Sequence, residues 1–231
     1  MIVYGKNVIK EAVLNRRPIY RLFLDEKLSD HEFKLFLETH QIKFQMTNKG
    51  ELNKMTNNAN HQGVVADVKE YRVFSLEEVL DENKVQKFLI LDELQDPHNL
   101  GAILRSAEAT NIDGVIIGRK NQVSLNATVA KVSAGAIEHV AIIEVSNVYQ
   151  AILRLKQKGV LVVGTEMHAE TNYRNIPKYT SVAIVMGNEG VGMRPLVKKG
   201  CDMLVSIPMC GKVNSLNVSV AAALLLYAML D

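Results

Sequence analysis

Apolar residues before about position 71 alternate with polar ones or recur every three to four positions, whereas from Phe88 onward they gather into unbroken runs. In the first stretch Asn7 can cap a helix carrying Val8, Ala12 and Val13. Arg16-Arg17-Pro18 breaks it, and Ile19 to Leu24 has the pattern of a strand. Ser29-Asp30-His31-Glu32 forms a capping box ahead of Phe33, Phe36 and Leu37, Lys43 to Met46 is strand-like, Asn48 opens a short helix with Leu52 and Met55, and Val64 to Val68 is a strand. Residues 1–71 therefore predict a small α/β unit. A second capping box, Ser75-Leu76-Glu77-Glu78, follows Tyr71-Arg72-Val73-Phe74 and predicts a linker with a leading helix over 72–87.

The later runs are Phe88 to Leu91, Val115 to Ile117, Val140 to Ile143, Val160 to Val163, Val182 to Met186 and Leu204 to Ile207. Continuous apolar runs belong to strands covered on both faces, and helices such as Val148 to Lys158 supply the crossovers between them. Residues 88–231 thus predict a parallel α/β domain, in which ligands sit beyond the carboxyl ends of the strands.

Composition narrows this picture only a little. A chain of 231 residues, 48% of them hydrophobic, has room for one or two domains with a sizeable core. A net charge of +2 and a pI near 8.4 leave the partner open. Cys201 and Cys210 make no disulfide framework, and the six histidines show no metal-ligand spacing, so no metal is expected. Met1 to Lys6 lacks the apolar core of a signal peptide. Val218 to Leu230 would span about 20 Å as a helix, short of a bilayer. The expectation is a soluble cytoplasmic protein without a membrane partner.

Three segments carry candidate chemistry. The first, Asp96-Pro97-His98-Asn99-Leu100-Gly101-Ala102-Ile103-Leu104-Arg105, follows a buried strand. Asn99 or Asp96 can cap its helix, and Gly101, one turn before Arg105, leaves room for that side chain to reach the helix opening, with Glu108 able to hold it from the other side. A capped surface helix with an Arg-Glu pair would read the same way. The second, Gly187-Asn188-Glu189-Gly190-Val191-Gly192, has the wrong glycine spacing for a dinucleotide loop, and Glu189 would repel pyrophosphate but suits a cationic or hydroxyl-bearing ligand. The third, Ser206 to Asn217, places Gly211-Lys212 before a helix. A phosphate loop would need glycine at 206 and a hydroxyl at 213, where Ser206 and Val213 stand. What remains is a strand, a loop and a helix opening on Ser215-Leu216-Asn217, with polar side chains and free backbone donors gathered at one helix N-terminus.

In this order the three segments resemble the first, second and third motifs of the SpoU (TrmH) family of RNA ribose 2'-O-methyltransferases, within the SPOUT superfamily. The resemblance is dense over 88–231. It extends more weakly to Tyr4-Gly5-Lys6-Asn7-Val8 and His61-Gln62-Gly63-Val64, and the whole-chain pattern is similar to the bacterial branch acting on guanosine of 23S ribosomal RNA. It implies a C-terminal sheet with a deep trefoil knot, a homodimer, and an N-terminal RNA-binding unit similar to ribosomal-protein folds. It also implies S-adenosyl-L-methionine as methyl donor, held by Gly164, Thr165, Gly187, Ile207, Pro208 and Leu216, with Asn99, Arg105, Glu189, Ser215 and Asn217 lining the reacting ribose. An arginine pKa above ~12 makes Arg105 a poor base. It is better cast as a phosphate anchor and stabiliser of developing negative oxygen, with the base left open.

Lys6, Lys10, Arg16, Arg17 and Arg21 cluster around the first helix and strand and are candidate RNA contacts, or else a solvated face. Other readings are a transfer-RNA ribose methyltransferase and, in a different class, a non-catalytic RNA-binding assembly factor, which would have no need of the polar residues retained in the three motifs. A nucleotide-dependent oxidoreductase would need the missing phosphate fingerprint.

Overall fold

The computed structural model describes residues 1–188 and 190–230. Met1–Tyr71 and Leu125–His139 form one compact unit, and Arg72–Ser124 with the chain from Val140 onward forms a second. In the first unit β1 (Ile2–Tyr4), α1 (Lys6–Leu14), β2 (Ile19–Asp25), α2 (His31–Thr39), β3 (Gln45–Thr47), α3 (Lys49–Met55) and β4 (Val64–Val68) follow one another. The sheet order is β1-β4-β2-β3, antiparallel except for the β2–β3 pair. Short polar side chains set the helix starts, because they accept hydrogen bonds from the otherwise unpaired first amides. Asp30 Oδ1 accepts from Phe33 N at 2.9 Å and Asn48 Oδ1 from Glu51 N at 3.1 Å. Gly5, rather than Asn7, caps α1, and Asp30 does what a box headed by Ser29 was expected to do. Ile9, Leu22, Leu24, Phe33, Leu37 and Val64 are buried to 1% exposure or less.

Leu125–His139, expected to lie within a continuous 88–231 domain, belongs instead to the first unit. Its helix α6 (Ala127–Val132) starts at Asn126, whose Oδ1 accepts from Thr128 N and Val129 N at 3.0 Å each, and a 3-10 turn, Ala136–Glu138, follows. Arg17 explains why. Its guanidinium lies 3.6 Å from the centroid of the Tyr71 ring, donates from Nε to Lys69 O at 2.7 Å, and pairs with Glu138 at 2.8 Å. Both charged side chains are nearly sealed from water, at 7% and 6% exposure. Burial also pushes the Tyr71 phenol up to about 12, so it stays neutral beneath the cation. Arg17 is thereby removed from the expected RNA-contact set, since a buried cation already committed to a carboxylate has nothing left to offer a phosphate.

The second unit contains α4 (Leu76–Val79), β5 (Lys87–Leu91), α5 (Pro97–Ala109), β6 (Gly114–Gly118), β7 (Ile142–Val145), α7 (Val148–Gln157), β8 (Leu161–Thr165), β9 (Thr171–Asn172), β10 (Val182–Met186), α8 (Pro195–Gly200), β11 (Met203–Ser206) and α9 (Val218–Ala228). Among the described residues the sheet runs β7-β6-β5-β10-β8-β11-β9, with every neighbouring pair parallel. The continuous apolar runs of β5, β6, β8 and β10 are almost wholly buried, and that of β11 is only partly so. Phe88, Ile90, Ile116, Ala183 and Val185 pack with Ile152 and Leu155 of α7 in one core. Strand β9, a two-residue edge, has no hydrophobic run to announce it. Helix α9 packs on α5. Because β10 enters between β5 and β8, the loops that follow β5, β8, β10 and β11 all emerge at one carboxyl edge.

Glu138→Ala should lower the stability of the protein by about 3 kcal/mol, because it strands a buried guanidinium that keeps only Lys69 O and the Tyr71 ring. Urea denaturation followed by circular dichroism checks this. A loss within about 0.5 kcal/mol, as for an ordinary surface change, would contradict the structural role given to Arg17.

Candidate active site

Thr165, Met186 and Ser206 are the last residues of β8, β10 and β11, and together they floor a cavity of about 180 Å³. Ile207, Asn214, Ser215 and Leu216 wall it from the loop after β11, and Ala221 and Leu225 from α9. Thr165 Oγ1 donates to Val185 O at 3.1 Å and Ser206 Oγ to Ala169 O at 2.9 Å, so two rim hydroxyls are already engaged with backbone. Glu166 closes one side, paired with Lys198 at 2.5 Å. That hydrogen bond holds its carboxyl below the usual range. No lysine or arginine is among the lining residues, and the walls are mainly apolar.

The loop after β10 folds back on itself. Asn188 N donates to Gly192 O at 3.2 Å and Gly192 N to Asn188 O at 2.9 Å. A Cβ on Gly187 would stand 2.0 Å from Gly192 C and 2.1 Å from Met193 N, so no larger residue fits without opening the turn. Asn188 Nδ2 donates to Glu93 O at 2.9 Å, and its Oδ1 accepts from Gly190 N at 3.0 Å. Glu189 lies outside the described residues. Arg194 then reaches across to the loop after β5. Its backbone N donates to Asp92 Oδ2 at 3.0 Å, and its Nε and Nη2 donate to Asp92 Oδ1 at 2.9 and 2.6 Å. The Asp92 side chain is fully buried, and its hydrogen bonds to the guanidinium raise the Arg194 pKa above the ordinary value. A buried carboxylate is tolerated only when satisfied in this way, and the clamp fixes the two loops together.

Asp96 caps α5, accepting from His98 N at 2.9 Å, which leaves Asn99 inside the first turn and buried. Asn217 caps α9 by accepting from Ser219 N at 2.9 Å, while its Nδ2 donates to Asn99 Oδ1 at 3.0 Å. The first and third motifs therefore meet through their asparagines. Arg105 is exposed on α5 and makes no ion pair with a described residue, so the expected hold from Glu108 does not form.

Of the residues expected around a methyl donor, Thr165, Ile207 and Leu216 line the cavity, joined by Ser215 from the ribose set. Gly187 and Pro208 are not among its walls. Gly164 serves another purpose. A Cβ there would lie 2.8 Å from both Cys201 Sγ and Leu204 Cδ2 and 2.9 Å from Met193 Cε, so the glycine lets β8 seat against the core. The sequence reading missed Asp92 and Arg194. Its available signal was an acidic pair, Asp92-Glu93, standing directly at the end of an apolar run where a ligand edge was already expected.

Residues 86–227 match the SpoU rRNA methylase family, and residues 2–74 match the RNA 2'-O ribose methyltransferase substrate-binding family. The chain belongs to the SpoU methyltransferase family. It is an RNA methyltransferase. A Staphylococcus aureus (strain COL) protein carrying the name TrmH family tRNA/rRNA methyltransferase is 42% identical, over 98% of this chain and 94% of its own length. One from Bacillus subtilis (strain 168), similarly named, is 40% identical over 97% and 93%. The SpoU methyltransferase AviRb of Streptomyces viridochromogenes, solved in complex with AdoMet, shares the fold with a TM-score of 0.85 at 22% identity, covering 99% of this chain and 88% of AviRb. An RNA 2'-O ribose methyltransferase superimposes with a TM-score of 0.81 at 26% identity, over 99% and 87%.

Burial beneath Gly164 pushes the Cys201 thiol up to about 11, whereas Cys210 is exposed in the loop after β11. Titration with a chromogenic disulfide at mildly alkaline pH should give one fast thiol, abolished by Cys210→Ser, and one slow thiol. Two fast thiols would contradict the packing assigned to Gly164.

Proposed function

We propose that the methyl acceptor is a ribose 2'-hydroxyl of RNA, specifically of a guanosine in 23S ribosomal RNA. The donor is S-adenosyl-L-methionine. The observation that carries this reading is a cavity at the carboxyl edge with mainly apolar walls and no cation among the described residues. Such walls suit an adenine ring and a positive sulfonium and would offer nothing to a pyrophosphate. Thr165, Ile207 and Leu216 hold the donor, which when bound supplies an electrophilic methyl carbon. Asn99 and Asn217, joined at one point, mark where the ribose enters, with Ser215 between them and the cavity.

Transfer to a hydroxyl depends on placing that oxygen in line with the methyl, and orientation alone can contribute up to ~7–11 kcal/mol. Arg105, free of ion pairs with described residues, anchors phosphate and stabilises the oxygen as it becomes negative.

In this scheme residues 1–71 bind the RNA substrate, 72–87 link and lead, and 88–231 perform the transfer. The insertion of β10 between β5 and β8, with α9 returning to α5, supports a deep trefoil knot. A homodimer is supported by the outward apolar face of α9, where Val220, Leu224 and Tyr227 are exposed.

Arg105→Ala should lower single-turnover methyl transfer by about 10²–10³-fold while leaving donor affinity and folding intact. Arg105→Lys should restore little, because lysine lacks the planar fork. The assay is purified protein with 23S RNA and labelled donor, read as 2'-O-methylguanosine after nuclease digestion. Unchanged transfer by Arg105→Ala would contradict the role of this residue, and label on a base would contradict the reaction.

A further inference from the structure

The groove between the end of α1, the start of β2 and the turn after α2 plays no part in the site described above. Its walls include Arg16, Arg17, Tyr20, Arg21, His40 and Lys43, and no carboxylate is among the described residues that line it. At about 640 Å³ it is the size of a groove that takes more than one nucleotide unit. Tyr20 stands on β2 with its side chain turned out of the core, and the residue is 62% exposed.

Of the five cations first expected to contact RNA, four are already engaged. Lys6 pairs with Asp30 at 2.5 Å, Lys10 with Glu32 at 3.5 Å, and Arg17 with Glu138, while Arg21 leans on Asp67 at 3.3 Å. Arg16 and Lys43 make no ion pair with a described residue, and both are exposed on this groove. The opposite wall is rigid, because His40 Nδ1 donates to Phe36 O at 2.8 Å and its ring lies 4.3 Å from the Phe36 ring, centroid to centroid.

An outward aromatic ring among uncommitted cations, with acids excluded, is what an unstacked base and its flanking phosphates require. Bases within a duplex are covered by their neighbours and cannot lie on such a ring. Resting on the RNA reading above, we infer that this groove takes a single-stranded segment of the substrate RNA, with one base on the Tyr20 ring and adjacent phosphates at Arg16 and Lys43. Of the five cations first expected to contact RNA, Arg16 remains free for that task, and Tyr20, His40 and Lys43 join it.

Fluorescence anisotropy on the full chain tests the inference, with a labelled single-stranded oligoribonucleotide of roughly twelve nucleotides, within the span of such grooves, and the same sequence as a duplex. Tyr20→Ala should weaken single-strand binding roughly 5- to 150-fold and leave duplex binding unchanged, whereas Tyr20→Phe keeps the ring and the affinity. Arg16→Ala and Lys43→Ala should each reduce the slope of log affinity against log salt by about 0.7.

Wild-type affinity in Tyr20→Ala, or equal loss on single strand and duplex, overturns the inference, as does a wild-type chain that binds no single strand. Label transfer measured in parallel keeps the two readings apart. Intact transfer with an inert Tyr20→Ala overturns the groove alone. Tyr20-dependent binding without any transfer to a ribose overturns the proposed ribose acceptor and upholds the groove.

Discussion

One amide-to-amide hydrogen bond, from Asn217 to Asn99 at 3.0 Å, joins segments 118 residues apart and holds the first and third motifs together. Asn99 is buried in the first turn of α5, where an unsatisfied amide would cost roughly 1–3 kcal/mol, so its partner must arrive with the right geometry. Asn217 can do so because its other end is spent capping α9, which orients the amide and starts the helix in one stroke. The packing of α9 on α5 then brings the loop after β11 to the carboxyl edge of the sheet, and the cavity walls Asn214, Ser215 and Leu216 come with it.

Charge is distributed in keeping with that constraint. Among the described residues the cavity has no cation in its walls, and Glu166, an acid that lines it, is held by Lys198. The buried Asp92 carboxylate is consumed by Arg194, which locks the loops after β5 and β10 without lending a free charge to the pocket. Arg105 is the contrasting case, an exposed guanidinium with no acid among the described residues to hold it. A site that must accept a cationic donor on one side and an anionic polymer on the other is served by this separation, since a fixed cation in the pocket would repel the donor.

Features encoded within a few residues were legible in the sequence. The capping side chains Asn48 and Asp96, the uninterrupted strands such as Val182–Met186, and the helix from Val148 each depend on neighbours in the chain. Contacts between distant segments were not. Arg17 looked like a surface cation because Glu138, 121 residues away, gives no local sign of meeting it. For the same reason nothing local to Leu125–His139 shows that it packs with the first unit. The family's motifs assign Gly164 to the donor, while the Cys201 and Leu204 atoms that crowd a Cβ there come from the end of α8 and from β11. The cavity residues Thr165, Ile207 and Leu216 were legible through the family's motifs, whereas Asp92 with Arg194 spans 102 positions and follows only from the fold.

The central claim, that this edge of the sheet methylates a ribose of ribosomal RNA, is tested most directly by mapping 2'-O-methyl groups across the RNA of cells with and without the gene. The account predicts that one 2'-O-methylguanosine of 23S RNA disappears on deletion and returns when the intact gene is restored. An unchanged ribosomal RNA map, or a loss confined to transfer RNA, would contradict it.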